Sequence, residues 1–388
     1  MEITELLVFV QKNNASDLHL STDSPPVLRL HGDMIPMKMA PLTGETIKRM
    51  LYSIMTEQQR TDYERELELD FAISFSQEMR FRVNAYNTIK GPAAVLRSIP
   101  TKVLTLEQLN APPILAELTN LTKGLILVTG PTGSGKSTTL AAMVNHINEN
   151  HEKHILTVED PVEFVHHSKK SLVNHREVGS STQSFARALK SALREDPDVI
   201  LVGELRDLET IQLAMTAAET GHLVFGTLHT SSAPKTVDRI IDVFPANDKE
   251  MIRAMLSVSL EAVITQGLLK RADGQGRVAV HEIMLGTPAI RNLIRENKIP
   301  QITSMMQTGM KLGMRTMKDS VVGLLHQGVI TEEEARRLLA TGGGEVNIEA
   351  KPATPAGAAA AAAAGAAMAP MPNMNTSTMP SPKRPDSF

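Results

Sequence analysis

The chain has 388 residues, 42% of them hydrophobic and 21% charged, with a formal net charge of −3, which is the composition of an ordinary globular protein of about two domains. With no Cys and no Trp, 3% aromatics and 43 acidic against 40 basic residues, it excludes a disulfide framework and a thiolate metal site and argues against a nucleic-acid partner, which calls for a basic face and stacking positions. The start, "MEITELLVFVQKNN", is acidic, without a basic n-region or cleavage site, so neither a secretory signal nor a membrane span is expected, and the cytoplasm is the expected location.

In chain order, "SDLHL" (16–20) and "PPVLRLHGDMIPM" (25–37) read as strands around turns. "TGETIKRMLYSIMTEQQRTDYERE" (43–66) places Ile47, Met50, Leu51 and Ile54 at helical spacing. "RFRVNAYN" (80–87) and "AAVLRSIP" (93–100) alternate with period two across Gly91-Pro92, a hairpin signal. Residues 1–100 are therefore expected to form a small α+β domain, and 101–120 a linker with a helical piece around "APP" (111–113).

From Gly124 the rhythm changes. "LILVTG", "HILTVED", "DVILVGE" and "HLVFGTLH" are apolar strands separated by helical segments, the pattern of a mostly parallel sheet covered by helices. After about residue 250 the pattern reads as mostly helical, through "IRNLIREN" and "TEEEARRLLATGGG", giving a second, α/β unit over 121–345. From 346 onward the Ala/Pro/Met-rich segment lacks large apolar residues, and Pro370 and Pro372 close its alanine run. A disordered tail is expected there.

"LILVTGPTGSGKSTTL" (125–140) holds Gly130-Pro131-Thr132-Gly133-Ser134-Gly135-Lys136-Ser137-Thr138 between a strand and a helix. Glycines at 133 and 135 let the loop turn its N–H groups inward around phosphate at a helix N-terminus. Lys136 is placed to reach the β- and γ-phosphates, and the Ser137 hydroxyl to ligate Mg²⁺. ATP and Mg²⁺ are the expected cofactors. A glycine-rich turn that matches by accident would not also be flanked by the right strand and helix.

A phosphate loop alone does not distinguish hydrolase from kinase or switch. "HILTVEDPVEF" (154–164) ends in Glu159 and Asp160, with a Pro-driven turn that brings Glu163 nearby. "DVILVGELRD" (198–207) places Glu204 at the end of a doubly buried strand, where many nucleotide hydrolases have Asp. A Glu there is long enough to hold the metal through a water, and a second carboxylate beside the attacking water completes the pair that in-line hydrolysis needs. The competing reading of each acid is a helix cap or an Arg partner. His222 and His229 stand at opposite ends of "HLVFGTL", about 20 Å apart if extended, too far to share a metal. His229, at the carboxyl end, is placed to hydrogen-bond a γ-phosphate.

"GPTGSGKST", "VEDPVEF", "ALREDPDVILVGELRDLET" and "TGHLVFGTLHT" resemble, in order and spacing, the Walker A, Asp, Walker B and His boxes of the secretion-superfamily ATPases. "ASDLHL", "FRVNAY" and "AIRNLIRE" (289–296) are similar to the PilT-type pilus-retraction branch. The resemblance covers roughly residues 1–345. It implies a PAS-like N-terminal domain, a RecA-like core and a homohexameric motor at the cytoplasmic face of the inner membrane. Its implied partners are a pilus platform protein and the pilus machinery, with membrane contact only through them. It further implies that Lys136 and Ser137 hold phosphate and Mg²⁺, Glu204 binds the metal through water, Glu163 polarises the attacking water and His229 senses the γ-phosphate. Arg82 and Arg97 would reach a nucleotide in the ring. Lys190 stands where many relatives carry Arg, which leaves Arg194 as the candidate for a phosphate or interface role. "AIRNLIRE" as a helix puts Ile290, Leu293 and Ile294 on one face, with Arg291, Arg295 and Glu296 on the other. The resemblance implies that this helix serves retraction, through coupling or a partner contact, much more than hydrolysis.

Three other readings follow from the same residues. A paralogous assembly or accessory ATPase would more often carry an extra N-terminal domain and a four-Cys zinc site, or lack an intact Lys136 and Glu163. A RecA-like nucleic-acid motor would want basic and aromatic surfaces, and a small-molecule kinase would not need the His box.

Overall fold

Two sheets of different strand logic organise the chain. The computed structural model describes residues 2–341 apart from 14, 31, 77, 78, 100 and 101; the tail expected from 346 lies outside the described residues. The first unit runs α1 (Ile3–Lys12), β1 (Asp17–Ser21), β2 (Val27–Leu30), β3 (Asp33–Pro36), α2 (Gly44–Tyr52), α3 (Glu57–Glu66), β4 (Glu68–Ser76), β5 (Met79–Thr88) and β6 (Gly91–Ile99). Its strands form a six-stranded antiparallel sheet in the order β3-β2-β1-β6-β5-β4. Period-two alternation divides its faces. Leu18, Leu28, Phe71, Phe81, Val83 and Leu96 pack with Leu6, Leu7, Ile47 and Leu51 of the helices, while Arg29, Asp17, Arg97 and Arg82 line up across neighbouring strands on the other face.

The helical reading of 43–66 needs correction, because two helices occupy it. Thr56 caps α3 through the Gln59 N–H, and the Gln59 side chain returns to the Thr56 N–H. This capping box restarts the helix and re-aims its axis. The hairpin turn falls on Ile89-Lys90, ahead of the expected Gly91-Pro92. Helical structure in the connector is confined to α4 (Ile114–Leu118).

The second unit continues with β7 (Gly124–Thr129), α5 (Lys136–Asn150), β8 (His154–Glu159), β9 (Leu172–Glu177), α6 (Phe185–Ala192), β10 (Val199–Val202), α7 (Leu208–Glu219) and β11 (Leu223–Leu228). After them come α8 (Ala233–Asp242), α9 (Lys249–Ser259), β12 (Leu260–Lys270), β13 (Arg277–Leu285), α10 (Pro288–Arg295), α11 (Ile302–Thr308), α12 (Met317–His326) and α13 (Glu332–Thr341). The seven-stranded sheet has the order β13-β12-β7-β11-β10-β8-β9 and is parallel except for β13. This is the expected α/β, RecA-like arrangement. Strands β7, β10 and β11 are buried along their whole length, as the unbroken apolar runs require.

The stretch after residue 250 is mostly helical as expected, but β12 and β13 add two long strands that the pattern did not place. Their β-branched runs, "AVIT" and "RVAV", join around the turn at 271–276 and extend the sheet beyond β7.

Candidate active site

Every carboxyl end of the parallel strands β7, β8, β10 and β11 opens on one crevice, the place where ligands bind in such sheets. Between β7 and α5 the phosphate loop winds through positive φ at Gly130, Gly133 and Gly135. At Gly130 any side chain would collide, since a Cβ would lie 2.3 Å from the Gln266 carbonyl oxygen. Pro131, Thr132 and Gly133 form the exposed tip, Ser134 is buried, and Ser137 and Thr138 are half-buried on the first turn of α5. That first turn offers N–H groups with no intrahelical partner. The Ser134 hydroxyl is buried without a hydrogen-bond partner.

Lys136 is buried, and its ammonium donates to the carbonyl oxygens of Gly130 (2.9 Å) and Pro131 (3.2 Å). Burial holds its pKa below the ordinary lysine value, against the opposing pull of the Glu204 and Glu163 charges. Both acids therefore lie within electrostatic reach of the loop lysine. Glu204 Oε1 is 3.4 Å from His229 Nε2, and Oε2 receives Arg206 Nη2 at 2.7 Å. Burial pushes the Glu204 carboxyl up, but Arg206 and His229 outweigh it and hold it below the usual range. His229 closes the group, with Nδ1 3.5 Å from the Lys136 ammonium. His222 stays at the far end of β11, bonded to the Ala217 carbonyl.

The Asp box forms a turn whose backbone is tied down by acids. Glu159 is buried and accepts the Glu163 N–H at 3.2 Å. It braces the turn, neither capping a helix nor pairing with an Arg. Arg82 is bonded by Asp70 through Nε and Nη2. That hydrogen bond, and beyond it the charges of Asp70, Glu163 and Asp160, raise the Arg82 pKa despite its burial. Arg82 thus lies within electrostatic reach of the Asp box while bonded to Asp70. Arg97, directly opposite Arg82 on β6, is exposed and bonded to buried Asp17 at 2.8 Å. Arg194 is exposed just beyond α6, on the turn into the amino end of β10. Glu204 follows the other end of that strand, so Arg194 is not brought to the phosphate loop of its own chain. Lys190 pairs with Glu209.

Sequence reasoning missed Gln266. From β12, its Nε2 donates to the Ser134 carbonyl (2.7 Å), while its Oε1 accepts from the Thr139 hydroxyl (2.7 Å). One buried amide thus braces the phosphate loop against the helix that follows it. The only signal was a lone polar residue in "VITQGLL", in a stretch read as helical. Asp70 and Arg206, which hold Arg82 and Glu204, were equally invisible without the pairing of strands and turns.

Among the described residues no group of three or more His, Asp or Glu side chains could hold a metal by itself, and no helix is long and apolar enough to cross a membrane. A Ser hydroxyl and a carboxylate are nonetheless a suitable protein contribution for Mg²⁺, which takes oxygen ligands and completes its shell with waters and phosphates.

A family model described as "Type II/IV secretion system protein" matches residues 2–337. The chain is 57% identical over 336 residues to the "Type IV pilus retractation ATPase PilT" of Pseudomonas aeruginosa, covering 87% of this chain and 97% of that protein. It is 61% identical over 312 residues to the "Twitching motility protein" of Neisseria gonorrhoeae, covering 80% and 83% of the two chains. The crystal structure of the pilus retraction motor PilT with bound ADP superposes with a TM-score of 0.81 at 46% identity, covering 87% of this chain and 97% of that one.

Proposed function

We propose, from the premise that this chain belongs to the type II/IV secretion system protein family, that it is an ATP-hydrolysing motor driving type IV pilus retraction. The observation that carries this reading is the contact of His229 with both Glu204 and Lys136, with the Glu163 charge also acting on Lys136, in a chain so similar to retraction ATPases.

In this reading the loop 130–138 wraps the phosphates with backbone N–H groups, and Lys136 leaves its carbonyl partners to neutralise the β- and γ-phosphates. Ser137, with Glu204 through a water, would hold Mg²⁺, which when bound offsets phosphate charge. Glu163 accepts a proton from the attacking water, and His229 reports whether the γ-phosphate is present. Arg82, and Arg97 or Arg194 from a neighbouring copy, supply positive charge on closure, when it stabilises the transition state. The chain works as a homohexamer at the cytoplasmic face of the inner membrane, engaging the pilus platform protein. Its PAS-like unit (1–100) moves on the linker (101–120) against the ATPase unit (121–345). The second reading is a paralogous assembly or accessory ATPase; the absence of Cys and the complete Lys136–Glu163–Glu204 set disfavour it.

Deleting the gene and imaging surface pili tests the direction of force. Pili that accumulate without shortening are the expected result, and bald cells would assign the chain to extension. In purified protein, Lys136→Ala should release no phosphate; wild-type release would overturn the site.

A further inference from the structure

Glu159 and Glu177 end the adjacent parallel strands β8 and β9 and face each other in register. Neighbouring carboxylates disfavour one another, yet both serve the same turn. Glu177 Oε2 accepts the Val162 N–H at 2.9 Å, and Glu159 Oε2 accepts the Glu163 N–H at 3.2 Å. Pro161 has no N–H to offer, so these bonds anchor two consecutive amides of the turn that carries Glu163.

The compensating charge comes from the other sheet. Arg80, on β5, places Nη2 3.0 Å from the same Glu177 oxygen, with side chains only 14% and 22% exposed. Its charge also acts on Glu159 and on His175, whose Nδ1 lies 4.0 Å from Glu159. Arg80 and Arg82 are two apart on one strand and so share a face. The strand that wedges Arg80 against Glu177 is also the one that carries Arg82, whose charge is felt by Glu163 and Asp160.

We propose that Arg80 and Glu177 are a positioning pair that couples the placement of the N-terminal sheet to the turn bearing Glu163. With the sheet docked, Arg80 neutralises Glu177, and Glu177 holds the Val162 amide. When the sheet withdraws, Glu177 is left beside Glu159 without its cation, and the turn loses its anchor. Hydrolysis is thereby permitted in one arrangement of the two sheets and suppressed in the other. The inference rests on the ATPase reading above. Neither residue touches the reacting atoms, so its signature is a loss of kcat at constant KM.

The test uses the full chain in its assembled form, with Arg80→Ala, Arg80→Lys, Glu177→Ala, Glu177→Gln and the Arg80/Glu177 double alanine variant. Arg80→Ala and Glu177→Ala should each lower kcat about tenfold or more with KM for ATP within about twofold, since misplacing a reacting group by ~1 Å can cost 10²-fold. The double variant should be no slower than the worse single, as expected of one shared interaction. Arg80→Lys should recover part of the rate. Glu177→Gln, which keeps an oxygen for Val162 but loses the ion pair, should fall between wild type and Glu177→Ala. Amide hydrogen exchange at Val162 and Glu163 should accelerate in Arg80→Ala while α5 is unchanged. Wild-type kcat in Arg80→Ala, additive losses, KM rising in step with the rate loss, or faster exchange throughout the second sheet would each overturn the inference. Lys136→Ala in the same assay separates the two levels. If it is inactive while Arg80→Ala is normal, only the positioning pair fails; if it hydrolyses normally, the ATPase site itself is wrong.

Discussion

His229 lies between Glu204 and Lys136, with Nε2 3.4 Å from the Glu204 carboxylate and Nδ1 3.5 Å from the Lys136 ammonium. An ammonium only donates, so a hydrogen bond between these two groups requires Nδ1 to accept, which leaves Nε2 to donate to Glu204. The imidazole thus bridges the phosphate-loop lysine and the acid proposed to hold the metal water. His229→Ala should cut turnover by roughly 10–100-fold, the usual cost of losing a group that orients a metal-site carboxylate. His229→Gln, whose amide N–H can still reach Glu204, should retain more. Steady-state phosphate release checks both; equal activity of His229→Ala and wild type would remove His229 from the mechanism.

Asp70 holds two of the three guanidinium nitrogens of Arg82, Nε and Nη2. For Arg82 to serve a phosphate as proposed above, Asp70 is the partner it would have to release. Arg82→Ala should lower kcat with little change in nucleotide affinity. Asp70→Asn keeps a weaker acceptor and should leave Arg82 easier to release. Comparing kcat with the Kd of a fluorescent nucleotide separates the effects. An equal loss of both in Arg82→Ala would indicate a ground-state binding role.

The parts of this site readable from sequence are those in which local chemistry dictates the backbone. The loop at 130–137 needs its glycines, and the strands before it and before Glu159, Glu204 and His229 are unbroken apolar runs. Their sequence reading coincides with β7, β8, β10 and β11 within a residue or two. What escaped depends on distant pairing. Strand β12 follows α9 without a turn residue between Ser259 and Leu260, so nothing local marked the change from helix to strand, and Gln266 was hidden with it. Strand β4 and the acids Asp70 and Glu177 gain meaning only once β4 lies beside β5 and Arg80 reaches β9.

Glu159 makes stability depend on pH. Burial pushes its carboxyl from 4.5 up to about 7, so between these values the folded chain keeps a proton that the unfolded chain releases. Its contribution is fully present below pH 4.5 and is lost as pH rises through 7, on the order of 3 kcal/mol in all. Buried His166 and His281, pulled down to about 3 and about 4, act oppositely and cost stability as pH falls below 6.5. Glu159→Gln isolates the acid: its melting temperature relative to wild type should climb from pH 5 to pH 8. A difference that stays flat across that range would contradict the burial argument.

Arg291 does not belong to the free polar face expected of "AIRNLIRE". It is half-buried, and its Nε donates to the Gly286 carbonyl at 2.6 Å, its Nη1 to the carbonyls of Ser257 (3.1 Å) and Val258, and its Nη2 to Glu261 at 2.7 Å. It therefore caps the C-terminus of α9, where a cation is favoured, and ties α10 to the start of β12. Leu293 lies in the main core beside Ile290 and Ile294, so Leu293→Asp would bury a charge and report folding, not partner contact. Arg291→Ala should destabilise the chain by about 2–4 kcal/mol, since it strands a half-buried Glu261 and several carbonyls. By the usual scaling that lowers the melting temperature by roughly 5–15 °C. Arg295 is exposed, and Arg295→Ala should leave melting and ATP hydrolysis unchanged while abolishing pilus shortening. Normal retraction in that variant would confine the motif to packing, with Arg291 as its purpose.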